Sequence, residues 1–423
     1  MISKSLSFDD LSLSATSLWS PIQGGITTPS GFLASGIKAG LKSSGKSDLA
    51  LLLAPEGSIC AGTFTGSLMR AACVDLCVDR LRSNAGHARA VLINAGQANA
   101  CTGERGLKDS ICATKELAQR LGLMQEEILI CSTGVIGEPI PLDKLISGLD
   151  PLIRGLSDVG GLAAANAILT TDLVEKQIAY EAHIDGRLVR IGGMAKGSGM
   201  IHPNMATMLA FMSCDVGVPS DIWLGMLRRV VESSFNSITV DGDTSTNDAC
   251  IAFAAGSPFN LQYIDYLEDG LRLVSQHLAK AIARDGEGAN CLFEVQVKGT
   301  DNDAAARKIG RSICSSSLVK TAIHGCDPNW GRIVAAAGRA GVPFDSNIFS
   351  LWIGPYQLMN NGEPIDFDRN IVSSYIKQRR DGEYLIDDLI PIMLILGSGS
   401  GDVKTWGCDL SDQYVHINAD YTT

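Results

Sequence analysis

Short, wholly apolar runs alternate along this chain with longer segments whose apolar residues recur at i, i+3 and i+4. A run of four to six such residues suits a strand buried on both faces, and the helical period suits a surface helix, so the alternation calls for α/β layers. Ala90–Asn94 predicts a strand, followed by a Gly/Asn-rich loop at 95–103 and a helix over Asp109–Leu121. Ile128–Cys131 predicts a second strand that runs straight into a turn at Ser132-Thr133-Gly134. Trp223–Ser234 and Leu271–Arg284 predict helices, the latter stopping at Asp285-Gly286. At 423 residues the chain is long enough for a full core without disulfides or metals, and no Pro/Ser linker, charge block or repeat divides it.

The charge balance is 35 basic against 46 acidic residues, a net −11, which argues against a nucleic-acid or anionic-membrane footprint. The first 25 residues lack a basic segment followed by an apolar run, so a cytoplasmic location is expected. The longest apolar stretches, near 49–55 and 389–396, fall far short of the ~18–20 residues of a membrane span. Twelve cysteines are scattered without any CxxC, which fits small buried hydrophobes in a reducing compartment.

Three motifs are formally present but lack their context. The segment from Gly40 to Ser47 (GLKSSGKS) fits the phosphate-loop pattern GxxxxGK(S/T). That loop needs a strand before it and a helix N-terminus after it; here the upstream GFLASGIKAG is a poor strand and the downstream DLALLLAP reads as a strand, so a hairpin turn is expected. The segment starting at Asp241 opens like a calcium loop but has Thr246 where the sharp turn needs Gly and Ala252 where the bidentate Glu belongs. Ser317–Lys320 fits SxxK without its partner motifs and predicts a helix or strand edge. The six histidines, His202 and His324 among them, show no metal-ligand spacing.

One segment stands apart: from Lys196, KGSGMIHPNMATML places Ala206 and Thr207 between a Gly/Pro-rich loop and the apolar run MLAFM. A threonine hydroxyl is a weak nucleophile unless activated, and one route is the free α-amine of an N-terminal Thr, whose pKa of roughly 7.7–8.0 leaves a useful neutral fraction. An internal Thr207 gains that amine only if the Ala206–Thr207 bond is cut.

Taken with the rest of the chain, that segment resembles the ornithine acetyltransferase (ArgJ) family. The likeness runs from Gly24-Gly25-Ile-Thr through NAGQANACTGERG, CSTGVIGE, AILTTD, GGMAKGSGMIHPNMATML, FNSITVDGDTSTND, DGEGAN and VKTAIHGCDPNWGRI to the terminal NADYTT. The resemblance implies an α/β, DmpA/ArgJ-like fold of interwoven α and β chains made by self-cleavage, with 1–206 as the α chain and 207–423 as the β chain. It implies that Thr207 cuts the Ala206–Thr207 bond, then carries acetyl from N2-acetylornithine to glutamate by ping-pong chemistry, with Thr133 and Gly134 as the oxyanion donors. Substrate contacts are implied at Thr170 (Thr171 beside it leaves the register open by one), Lys196, Thr207, Glu287, Asn418 and Thr423. No resident cofactor or metal is implied. Acetyl-CoA is expected as a second acetyl donor, the alternative being a monofunctional transferase that does not use it. The family also implies an α2β2 heterotetramer in the cytoplasm. A nucleotide-binding protein built on Gly40–Ser47 is the reading from another class. The chain departs from the family's usual SGNANA at Ala95–Ala100 and from its FTTN-like residues at Phe64–Ser67, which touches loop detail and not reaction class.

Overall fold

The computed structural model describes residues 18–202 and 208–420. Its strands, in chain order, are β1 (Ser20–Ile22), β2 (Leu33–Ile37), β3 (Leu49–Leu53), β4 (Ile59–Phe64), β5 (Ala90–Gln97), β6 (Ile128–Val135), β7 (Lys176–Ile184), β8 (Arg187–Lys196) and β9 (Leu209–Cys214), then β10 (Ile238–Thr239), β11 (Ala249–Ala254), β12 (Leu292–Thr300), β13 (Ser350–Ile353), β14 (Tyr356–Asn360), β15 (Glu363–Pro364), β16 (Leu389–Ile395) and β17 (Gly401–Cys408). Contacts divide the chain into two compact units, one made mainly of 18–236 and 242–285, the other of 237–241 and 286–420. None of these boundaries is marked by composition.

The larger unit holds a four-stranded sheet, β2-β3-β5-β6, and a six-stranded sheet, β1-β7-β8-β9-β11-β4. Strand alternation explains how they stack. On the four-stranded sheet Leu49, Leu51, Leu92, Ile128 and Ile130 face the helices Gly103–Leu121 and Leu142–Arg154 in one cluster. Their neighbours Ala50, Leu52, Val91, Ile93 and Leu129 pack in another cluster with Met194, Phe211 and Ile251 of the six-stranded sheet. The far face of that sheet is covered by the helix Ile264–Arg284, which comes so close to β8 that a Cβ on Gly193 would stand 2.8 Å from Val274 and 2.9 Å from Leu278. The result is a helix–sheet–sheet–helix sandwich. Every residue of β5, β9 and β11 is buried, the polar Asn94, Gln97 and Ser213 included, as befits strands covered on both faces.

Strands from both sides of the 206/207 junction share the six-stranded sheet: β8 pairs antiparallel with β9, Lys196 opposite Leu209, and β9 pairs parallel with β11, Leu209 opposite Ala249. The smaller unit carries a seven-stranded sheet, β10-β17-β12-β16-β13-β14-β15, packed on Asp303–Cys314 and neighbouring helices through Val295, Ile309, Ile313 and Ile392.

Several sequence expectations are corrected in detail. The segment judged a poor strand forms β2, because Gly36 lets Ala163 lie against it; a Cβ there would meet the Ala163 carbonyl oxygen at 2.0 Å. β2 and β3 pair antiparallel, so Gly40–Ser47 is the hairpin connection expected. Strand β5 runs on through Gln97, and the following helix starts at Gly103, six residues before the expected Asp109. The helices expected from Trp223 and Leu271 begin earlier, at Ser220 and Ile264. Ser132-Thr133-Gly134 lies within β6 and does not form a turn after it. Ser317–Lys320, expected as a helix or strand edge, opens a helix that ends at His324. Among the described residues no helix is long and apolar enough to cross a membrane.

Candidate active site

Thr133 and Gly134 sit near the end of β6, paired in parallel with Ala95 and Gly96 of β5. Thr133 is buried. Gly134 has φ +130°, a region L side chains rarely enter, and a Cβ on it would come 2.2 Å from the Gly96 carbonyl carbon. The strand end is pinned from below: the Ser132 hydroxyl donates to Asn94 Oδ1 at 2.7 Å, and Asn94 Nδ2 donates to the Gln97 carbonyl at 3.0 Å. Asn247 Nδ2 donates to the carbonyls of Ser132, at 2.9 Å, and of Ala98. The backbone at the expected oxyanion position is therefore held by side chains and cannot drift, which is what preorganised donors require.

The next residue, Asp248, reaches the other side of the site. Its Oδ1 accepts the Met208 N–H at 3.0 Å, and the Ala249 N–H donates to the Met208 carbonyl at 3.2 Å. Met208 directly follows Thr207. Ala206, Thr207 and Thr423 lie outside the described residues.

Lys196 ends β8, buried, with Nζ 4.0 Å from Asp172 Oδ2. Asp172 is a hub: it accepts from Lys176 Nζ at 2.8 Å, from the Gly197 N–H at 2.6 Å and from the Thr170 N–H at 3.0 Å. Burial alone would raise its pKa, but the Lys176 and Lys196 charges and the N–H donors override it and hold the carboxyl below the usual carboxylate range. Lys176 Nζ also donates to Asp285 Oδ2 at 2.6 Å. Thr170 turns both its N–H and, at 3.5 Å, its hydroxyl toward Asp172, whereas the Thr171 hydroxyl is 2.6 Å from Ser198 Oγ. Lys42, in the β2–β3 hairpin connection, donates to the Ser47 carbonyl at 2.6 Å and the Ala167 carbonyl at 3.4 Å. Burial, with Lys196 and Lys46 adding to it against Asp48 and Asp172, brings its pKa down to about 8. This end of the unit thus presents cationic side chains beside Thr170 and is chemically suited to a carboxylate.

In the smaller unit, Asn418 Nδ2 donates to Glu287 Oε2 at 2.8 Å. The two expected contacts, far apart in sequence, meet directly. Among the described residues, no group of three or more His, Cys, Asp or Glu side chains could hold a metal ion.

Sequence reasoning missed Asp172, Lys176, Asp285, Asn247 and Asp248. The last two lay in the 241–248 segment, weighed as a failed calcium loop and quoted within the family resemblance without a role; two adjacent side chains of that polarity in front of the apolar run ACIAFA were the available signal.

The model of the ArgJ family matches residues 33–423. A Prochlorococcus marinus (strain MIT 9313) protein named arginine biosynthesis bifunctional protein ArgJ is 66% identical over 419 residues, covering 99% of this chain and 98% of that one. A Synechocystis sp. protein of the same name is 54% identical, covering 96% and 99%. Among solved structures, a Bacillus halodurans arginine biosynthesis bifunctional protein ArgJ is 36% identical, covers 49% of this chain and 97% of its own, and has a TM-score of 0.44. An ornithine acetyltransferase from Mycobacterium tuberculosis, in complex with ornithine, is 38% identical, covers 44% and 98%, and has a TM-score of 0.41. This chain belongs to the ArgJ family.

Proposed function

We propose that the protein is a self-processing N-acetyltransferase of arginine biosynthesis, moving acetyl from N2-acetylornithine to glutamate and also accepting acetyl from acetyl-CoA. The observation that carries this reading is the Asn247-Asp248 dipeptide, which holds the backbone before Thr133 and the amide after Thr207 at the same time. A nucleophile and its oxyanion donors have to be fixed against one another in this way for acyl transfer.

Thr207 Oγ attacks the Ala206 carbonyl, and the peptide becomes an ester with the Thr207 nitrogen as leaving group. Water hydrolyses the ester, leaving Thr207 with a free α-amine. That amine takes the hydroxyl proton when Thr207 attacks the acetyl carbon of N2-acetylornithine, and gives it to the departing ornithine amine. Glutamate's amine then attacks acetyl-Thr207, and the hydroxyl is restored. The Thr133 hydroxyl and the Gly134 N–H stabilise the oxyanion at each tetrahedral stage. Lys196 pairs with a substrate carboxylate, Thr170 lies beside it, and Glu287, with Asn418 and Thr423, receives the ornithine ammonium. The reading needs no resident cofactor; acetyl-CoA enters as a substrate. The cut chains assemble as α2β2 in the cytoplasm.

Incubation with N2-acetylornithine without glutamate is expected to add the mass of one acetyl group to the fragment beginning at Thr207, and glutamate is expected to remove it. Acetyl-CoA is expected to load the same residue. An acetyl group found elsewhere, or direct transfer with no loaded enzyme, contradicts the mechanism.

A further inference from the structure

Asp248 is fully buried, yet its two oxygens are treated differently. Oδ1 accepts the Met208 N–H, while Oδ2 makes no hydrogen bond among the described residues. An ionised carboxylate offers about four acceptor sites and is stable in a protein interior only when paired or well solvated by donors. One backbone N–H is too little for that. The charge that acts on it is that of Lys196, at the end of β8, and the neutral Ser245 and Thr65 hydroxyls also bear on it. Burial pushes the Asp248 pKa well above the usual carboxylate range, against the pull of the Met208 N–H, those hydroxyls and the Lys196 charge.

The position explains why such a group is retained. The Met208 N–H belongs to the peptide bond that follows Thr207, and the neighbouring Asn247 holds the peptide bond that precedes Thr133. We propose that Asp248 is a positioning residue of the acyl-transfer site that works as a neutral carboxylic acid, fixing the amide after the nucleophile through Oδ1 while its proton sits on Oδ2. A buried neutral acid fixes that amide without setting a negative charge beside an oxyanion that forms twice per turnover. This inference rests on Thr207 being the nucleophile.

A carboxyl whose folded pKa is raised favours the folded site at low pH, and the benefit is lost as pH rises through the raised value. Asp248→Asn keeps an acceptor oxygen and is neutral at every pH. It is expected to cut itself and transfer acetyl within about threefold of wild type near neutral pH, and to lose the alkaline decline that Asp248 imposes on kcat. Asp248→Ala orphans the Met208 N–H and is expected to lose at least about tenfold in kcat and in the rate of self-cleavage, with KM little changed. Rates would be read by intact mass for cutting and by glutamate acetylation from N2-acetylornithine across pH, with Thr207→Ala alongside.

The proposal is overturned if Asp248→Asn is as impaired as Asp248→Ala, since the charge is then needed, or if its alkaline limb matches wild type. It is equally overturned if Asp248→Ala is folded and fully active. Should Asp248→Ala not fold, Asp248→Asn alone decides through its rate and its pH profile. A Thr207→Ala variant that is still cut and active sinks the nucleophile assignment itself, a failure distinguishable from that of Asp248.

Discussion

Gly134→Ala is expected to lower kcat for acetyl transfer by about 10²–10³-fold, the loss typical of removing an oxyanion donor. The reason is steric and local. The new Cβ would stand 2.2 Å from the carbonyl carbon of Gly96, 2.3 Å from its oxygen and 2.7 Å from the Gln97 nitrogen, all of them backbone atoms of the paired strand. They cannot swing aside as a side chain end can. The φ of +130° adds strain for any residue with a Cβ. The end of β6 must therefore move away from β5, taking the Gly134 N–H and the Thr133 hydroxyl out of line. Steady-state kinetics of glutamate acetylation checks this, with circular dichroism confirming that the variant folds. A folded variant with unchanged kcat would remove Gly134 from the oxyanion role.

Lys176→Met is expected to be the most destabilising single change in this region, by about 3–5 kcal/mol, because it leaves buried carboxylates without their cation. Lys176 is wholly inaccessible and bridges Asp172 at 2.8 Å and Asp285 at 2.6 Å. The loss reaches the site, since Asp172 also holds the Gly197 and Thr170 amides and stands 4.0 Å from Lys196. Urea unfolding midpoints measure the effect, and adding Asp172→Asn to Lys176→Met should recover part of it by removing one unpaired charge. The acid side offers a second reading. Asp172 has its pKa held down in the folded protein, so its contribution is present above the ordinary carboxylate value of about 3.9 and is lost as pH falls toward the folded value. Asp172→Asn should flatten that acid limb. A Lys176→Met variant as stable as wild type would mean that Asp172 and Asp285 find other partners.

That the fold is layered α/β was legible in the sequence because strands such as β5 open on short apolar runs, Ala90–Ile93 among them; the order of the layers was not. Glycine-bearing strands were harder. β2 contains Gly36 and looked weak, yet that glycine is what admits the backbone of Ala163. The Thr133-Gly134 pair read as a turn because Gly is a turn signal, whereas here it marks a close approach of two strands. Motif resemblance named Thr170, Lys196, Glu287 and Asn418 as substrate contacts, but that Asn418 donates to Glu287 was not foreseen. Asp172 and Lys176 were not legible, because isolated charged residues in a sequence read as solvated, and Asn247 and Asp248 stood before an apolar run with nothing in the sequence to say what they hold. Only tertiary structure reveals that they are buried, and what they hold.

The central claim is that Thr207 cuts the chain and then serves as its acyl-carrying nucleophile. The most direct test is the intact mass of the purified protein under denaturing conditions, beside Thr207→Ala. The account predicts two chains in wild type, separated between Ala206 and Thr207, and a single inactive chain in the variant. A single uncut wild-type chain with full transferase activity would contradict it, because Thr207 would then have no free amine to act as its base.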